Sequence, residues 1–295
     1  MTENTLEPTQ TQSLLVSTQE VMQQTLGPKF NKPSSNIHNK NITSGFHTID
    51  NLIHGFQPGE LVTIAVRPGI GKTSFLTSMI NNIALCENHA CGIFSLERPS
   101  KKLLQRLIQS TTGINLEKIN HGELSDLENN HVHSVINSLE NSNILFCDKP
   151  GISTDTIGEN IQEMKKQGAE IIFIDYLELL HSNNTIDSCE ENDMCTVMVD
   201  IKKIAKENNI PIIIFSQLKK PIIYKNKYKY TPDYINDNSD TLIFLNRPSY
   251  YHINQIEQTP NDEAEITIAK NINIGDMQIA KLKIIESLGQ FKDLN

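Results

Sequence analysis

From residue 42 onward, short apolar runs alternate with segments whose apolar residues recur at helical spacing. Residues 61–66, 91–96, 144–147, 170–174 and 210–215 are short and apolar, and each reads as a strand. Between them, residues 72–87 place Phe75, Met79, Ile80 and Ile83 at helical spacing, and Ser100 offers a cap to a helix over Leu103, Leu104 and Leu107. Residues 116–139 read as helical in pieces, and 155–166 and 192–208 as further helices; Pro211 cannot belong to the last. Continuously apolar strands separated by amphipathic helices predict an α/β fold with a parallel sheet covered on both faces. After Thr241 the pattern changes. Residues 241–245, 265–269 and 280–285 predict a strand-rich, antiparallel ending.

Residues 1–40 differ from the rest. They are polar, carry Pro8, Pro28 and Pro33, and read mostly as linker. One island, residues 12–26, spaces Leu14, Leu15, Val21, Met22 and Leu26 as a short helix would. That helix packs on its own domain or docks on a neighbouring subunit. The expected division is an N-terminal extension, 1–40, and one α/β domain, 41–295.

Composition narrows the class. A hydrophobic fraction of 38% suffices for a sizeable core, but no stretch approaches the ~20 apolar residues of a spanning helix, so no membrane partner is expected. Residues 1–4 lack a basic patch followed by an apolar run, which predicts no secretory signal and a cytoplasmic location. Five cysteines without a CxxC pair fit reduced thiols better than disulfides or a zinc site. The net charge of -9 excludes a general polyanion binder; nucleic-acid contact requires a local basic patch.

The strongest chemical signal is Arg67-Pro68-Gly69-Ile70-Gly71-Lys72-Thr73-Ser74, between the first strand and a helix. Glycines 69 and 71 let backbone amides curl around phosphate oxygens, and the helix N-terminus adds partial positive charge. Lys72 can reach the β- and γ-phosphates of ATP, and the Thr73 hydroxyl can ligate Mg²⁺. Val66 stands where such phosphate loops usually carry their first glycine.

Hydrolysis needs more than a phosphate loop: an acid that organises Mg²⁺ and a group that orients water. Asp175 follows the strand 171–174, at the carboxyl end of a buried strand, where it faces the ligand crevice. Glu97 follows the second strand and can accept a proton from water. Gln217 ends the strand of residues 212–216 and can sense a γ-phosphate by hydrogen bonding.

The order of segments resembles the motor domain of DnaB-type replicative helicases, a RecA-like P-loop NTPase. The resemblance rests on residues 45–52, 55–60, 67–73, 94–100, 174–179 and 216–218, and runs from about residue 43 to the C-terminus. It implies an ATP-dependent, ring-forming DNA helicase or DNA-translocating ATPase in replication, binding single-stranded DNA as a homo-oligomer, typically a hexamer. By the same resemblance Lys72 and Thr73 bind phosphate and metal, Glu97 activates water, Asp175 organises Mg²⁺, Gln217 couples the nucleotide to DNA loops, and residues 12–26 match the helix that docks on the next subunit. The family's N-terminal primase-interacting domain has no counterpart expected in residues 1–40. Where the family carries Lys-x-Arg to reach a neighbour's γ-phosphate, this chain reads Lys270-Asn271-Ile272, which keeps Lys270 as a trans-acting candidate but puts Ile272 in place of the arginine finger and implies slow turnover.

After Gln217 the chain diverges from the family. Lys219, Lys220, Lys225, Lys227 and Lys229 interleave with Tyr224, Tyr228, Tyr230 and Tyr234. Cations that track phosphates and rings that stack bases make a single-strand DNA surface; the competing reading is a solvated loop. Arg247, Tyr250 and Tyr251 offer either a contact to the adenine or ordinary packing. Two other functions remain open at this level: a degenerate paralogue that binds ATP and regulates another motor, and a RecA- or circadian-clock-type ATPase that does not act on DNA.

Overall fold

The computed structural model describes residues 41–183, 190–218, 232–251, 262–271 and 277–294. The helix expected at 12–26 lies outside them. Within them, nine strands form one sheet: β1 Leu61–Val66, β2 Cys91–Ser95, β3 Ile144–Cys147, β4 Ile171–Asp175, β5 Ile212–Gln217, β6 Thr241–Asn246, β7 Glu263–Lys270, β8 Gln278–Ile285 and β9 Gln290–Asp293. Their order is β3-β2-β4-β5-β1-β6-β7-β8-β9. The first six in that order run parallel, and β7, β8 and β9 add on antiparallel.

The parallel half forms because its strands are apolar on both faces. Val62, Ile64 and Val66 of β1 join one core with Phe173, Ile213 and Phe215. Leu61 and Ala65 join the other with Ile172, Ile174 and Ile214. Successive residues point to opposite faces, so each face needs its own helical cover. The helices Lys72–Ile80 and Ser100–Thr112 cover the first, through Phe75, Met79, Leu103 and Leu107. Thr154–Lys166 and Glu190–Asn208 cover the second, through Ile157, Ile161, Val197 and Ile201. β8 alternates exposed and buried residues, as a strand with one wet face must.

Three local expectations change. The helix expected at 72–87 is α-helical only to Ile80 and continues as a π-helix over Asn81–Cys86. Ser100 is the first helical residue rather than the cap: its amide donates to Asp148 Oδ2 at 2.8 Å, so a distant carboxylate satisfies this helix end. The strand β9 and the short helices His47–Ile53 and Asp233–Asn238 carry no periodicity long enough to announce them. No helix among the described residues is long and apolar enough to cross a membrane.

Candidate functional site

Parallel pairing brings four strand ends to one edge. Val66 at the end of β1 lies opposite Gln217 at the end of β5, and Ser95 at the end of β2 lies opposite Asp175 at the end of β4. The loop of residues 67–71 leaves β1 here and turns through Gly69 and Gly71, both left-handed, with φ of 79° and 113°. Only glycine holds these angles without strain. A methyl group at Gly69 would also stand 3.0 Å from the Tyr250 hydroxyl. Gly71 then starts the helix Lys72–Ile80. The result is a cavity of about 310 Å³ lined by Val66, Arg67, Pro68, Gly69, Gly71, Lys72, Thr73, Ser74, Glu97, Arg98, Arg106 and Gln217.

Lys72 organises its floor. Its Nζ lies 2.6 Å from Glu97 Oε2, 2.7 Å from Asp175 Oδ1 and 3.6 Å from the centre of the Tyr176 ring. Asp175 is 2% exposed. Burial raises its pKa, and the neighbouring Lys72 ammonium opposes that rise. Asp175 Oδ1 receives no well-directed hydrogen bond, because Lys72 meets it as an ion pair. That leaves a buried carboxylate oxygen with capacity for a cation, and Thr73 brings a hydroxyl to the cavity from the first helical turn. Among the described residues no three His, Cys, Asp or Glu cluster as a metal-ligand set. The donors present suit a hard ion that takes its other ligands from phosphate and water.

Glu97 lies two residues beyond β2, in a bend tied at both sides. The Leu96 amide donates to the Asp175 carbonyl at 3.0 Å, and the Ser95 hydroxyl donates to the Arg98 carbonyl at 2.7 Å. Gln217 is held from behind by Glu178. This carboxylate accepts the Ser216 hydroxyl at 2.6 Å and the Gln217 amide at 3.1 Å. Burial pushes the Glu178 pKa up, while these hydrogen bonds pull it down.

The structure therefore brings Lys72, Thr73, Ser74, Glu97, Asp175 and Gln217 together. Ile70 is an exception within the loop: its side chain is fully buried in the core. Arg247 also stands apart. It is 5% exposed, paired with Glu286, and its Cζ lies 5.3 Å from the Tyr250 ring. Tyr250, not Arg247, stands against the phosphate loop. Lys270 donates to the Asn236 carbonyl of its own chain at 2.7 Å. Lys219, Lys220, Lys225, Lys227, Lys229, Tyr228 and Ile272 lie outside the described residues. Sequence reasoning missed Arg98, although it adjoins Glu97, and Arg106, which follows the buried Leu103 by one helical turn.

Comparison with known proteins identifies the family of the whole domain. The family model for the DnaB-like helicase C terminal domain matches residues 41–293. The chain is 29% identical over 271 residues to the replicative DNA helicase DnaC of Bacillus subtilis, which covers 88% of this chain and 59% of that protein. It is 31% identical over 261 residues to the replicative DNA helicase DnaB of Buchnera aphidicola, covering 83% of this chain and 53% of that protein. The chain thus spans less than two thirds of the length of the curated relatives it matches. Among solved structures it is similar to an ATPase domain, with a TM-score of 0.81, 27% identity and coverage of 95% of this chain and 99% of that one. It is also similar to a DnaB-like replicative helicase studied with its interactions with primase, at a TM-score of 0.80, 27% identity and coverage of 94% and 70%. With nearly the whole described domain matched, this chain belongs to the DnaB-like helicase C-terminal domain family.

Proposed function

We propose that this chain is an ATP-dependent motor of DnaB type, a DNA helicase or DNA-translocating ATPase that works in replication, in the cytoplasm, as a homo-oligomeric ring on single-stranded DNA. The observation that carries the reading is the meeting of Lys72, Glu97 and Gln217 around one cavity at the phosphate loop, with the buried Asp175 paired to Lys72 beneath it. The backbone of 67–71 cradles the phosphates of ATP, and Lys72 exchanges its two carboxylate partners for phosphate oxygens. Thr73 and Asp175 hold Mg²⁺, which supplies neutralisation of phosphate charge. Glu97, released from Lys72, takes the proton of a water whose oxygen bonds to the γ-phosphorus. The bond from that phosphorus to the β–γ bridging oxygen breaks, giving ADP and inorganic phosphate. Gln217 sits on β5, whose next residues are the Lys- and Tyr-rich segment read as a DNA surface, so a change at the phosphate has a short covalent path to DNA.

The test is ATP turnover by the full chain with and without single-stranded DNA, over protein concentrations that span assembly, together with strand displacement on a forked duplex. Turnover stimulated by DNA, with unwinding, is the expected result. ATP binding without turnover at any concentration overturns the motor reading in favour of a regulatory paralogue. Turnover indifferent to DNA overturns the DNA assignment.

A further inference from the structure

The chain contains four arginines among its 26 Lys and Arg residues: Arg67, Arg98, Arg106 and Arg247. Three of the four line the phosphate-loop cavity. The fourth, Arg247, is buried against Glu286 and Tyr250. A chain that uses lysine almost everywhere keeps three of its four arginines for this one place. The difference is chemical. A guanidinium presents a planar fork of donors that matches phosphate oxygens, whereas an ammonium is a point charge.

Arg98 is the best placed of the three. It directly follows Glu97 in the bend beyond β2, and its carbonyl is fixed by the Ser95 hydroxyl at 2.7 Å. Its Nε lies 3.9 Å from Glu97 Oε1, too far for a hydrogen bond, and is buried without a hydrogen-bond partner. The rest of the side chain opens to the cavity, at 41% exposure. A buried N–H without an acceptor is costly, and a phosphate oxygen in this cavity would supply one. Arg106 enters the same cavity from the helix Ser100–Thr112. Its pKa is pushed down by burial first and by the like charge of Arg98 second. Two guanidiniums close enough to disturb each other call for a multiply charged anion between them. No arginine follows residue 247, so the C-terminal strands have no guanidinium to lend a neighbouring protomer.

We propose that Arg98 supplies, within its own protomer, the guanidinium that binds the terminal phosphoryl group of ATP and stabilises the charge it gathers during transfer to water. This rests on the nucleotide-hydrolysing reading above. It also removes the deficit expected from Ile272, because the cation comes from the same bend that carries Glu97.

The experiment uses the full chain and the variants Arg98→Met and Arg98→Lys, each checked for an unchanged melting temperature. Steady-state turnover of Mg²⁺-ATP and calorimetric binding of Mg²⁺-ADP are measured. Arg98→Met should lower kcat by about 10² or more, on the scale of losing one transition-state donor. ADP affinity should be unchanged, because ADP lacks the terminal phosphoryl group. Arg98→Lys should recover only a part of the rate, since it restores charge but not the fork. In mixtures with Lys72→Ala protomers, which retain Arg98 but lack the phosphate-binding lysine, Arg98→Met should stay as slow as it is alone. Wild-type turnover by Arg98→Met, or its rescue by Lys72→Ala protomers, would overturn the proposal while leaving ATP hydrolysis intact. A wild-type chain that binds no ADP and hydrolyses no ATP would instead overturn the nucleotide reading and this proposal with it.

Discussion

Lys72 Nζ stands 2.6 Å from Glu97 Oε2, so the residue assigned to phosphate and the residue assigned to water neutralise each other in the resting site. The same ammonium lies 2.7 Å from the buried carboxylate of Asp175. On the proposed function, phosphate oxygens arriving in the cavity would compete for Lys72, and drawing it away would return negative charge to Glu97. Nucleotide binding and readiness of the base would then be one electrostatic event.

Lys72→Ala removes the shared cation. Affinity for Mg²⁺-ATP should fall by roughly 10² or more, the loss of a charge-assisted interaction in a partly buried site. The fold should persist, since the helix Lys72–Ile80 is held by Phe75, Leu76, Met79 and Ile80. Calorimetry checks the affinity; wild-type binding by the variant would refute the phosphate-loop assignment.

Glu97→Gln preserves size and removes the basic oxygen. ATP binding should remain while turnover falls by about 10² to 10⁴, the range of general-base catalysis. Single-turnover hydrolysis measures it. A variant as fast as wild type would shift the role of base to another carboxylate of the site.

Glu178→Gln tests the buried carboxylate behind Gln217. Burial raises the Glu178 pKa above its ordinary 4.5. The folded protein therefore binds this proton more tightly than the unfolded chain. Its contribution to stability is complete below pH 4.5 and is lost as pH rises through the folded pKa. The melting-temperature advantage of wild type over Glu178→Gln should shrink from acid pH toward neutrality and then level off. An advantage that grows with pH would contradict the burial-driven shift.

Replacing Lys225, Lys227 and Lys229 with alanine should weaken single-stranded DNA binding and flatten its salt dependence. The slope of log affinity against log salt should fall by about 0.7 for each phosphate that the segment no longer neutralises. An unaltered slope would identify the segment as a solvated surface.

Asp293→Ala tests a helix cap supplied from the far end of the chain. Asp293 accepts the His47 and Thr48 amides at 2.9 and 3.1 Å and the Thr48 hydroxyl at 2.7 Å. Its removal should cost about 1 kcal/mol, the usual worth of an N-cap. Thermal melts should drop by about 2–4 °C for a domain of this size; no change would mean that water replaces the carboxylate.

The α/β class, the parallel sheet and the phosphate loop were determined by sequence, because local signals carry them. Continuously apolar strands, helices of period 3.6, Gly69 and Gly71 at left-handed angles, and a lysine at a helix start all act within a few residues. Asp175 and Gln217 were legible for the same reason: a polar residue that ends a fully apolar strand must emerge at the sheet edge. What the linear order does not contain is which strand ends become neighbours. The placing of β4 between β2 and β5 sets Asp175 opposite Ser95, and only that pairing brings Glu97 to Lys72. Arg98 and Arg106 join the cavity through the bend after β2 and the helix that follows it, and neither residue stands out in a basic surface pattern. Distant caps depend equally on the closed fold. Asp148 serves Ser100 and Asp293 serves His47, because a carboxylate satisfies whichever orphan amides the packing brings to it, however far away they lie along the chain.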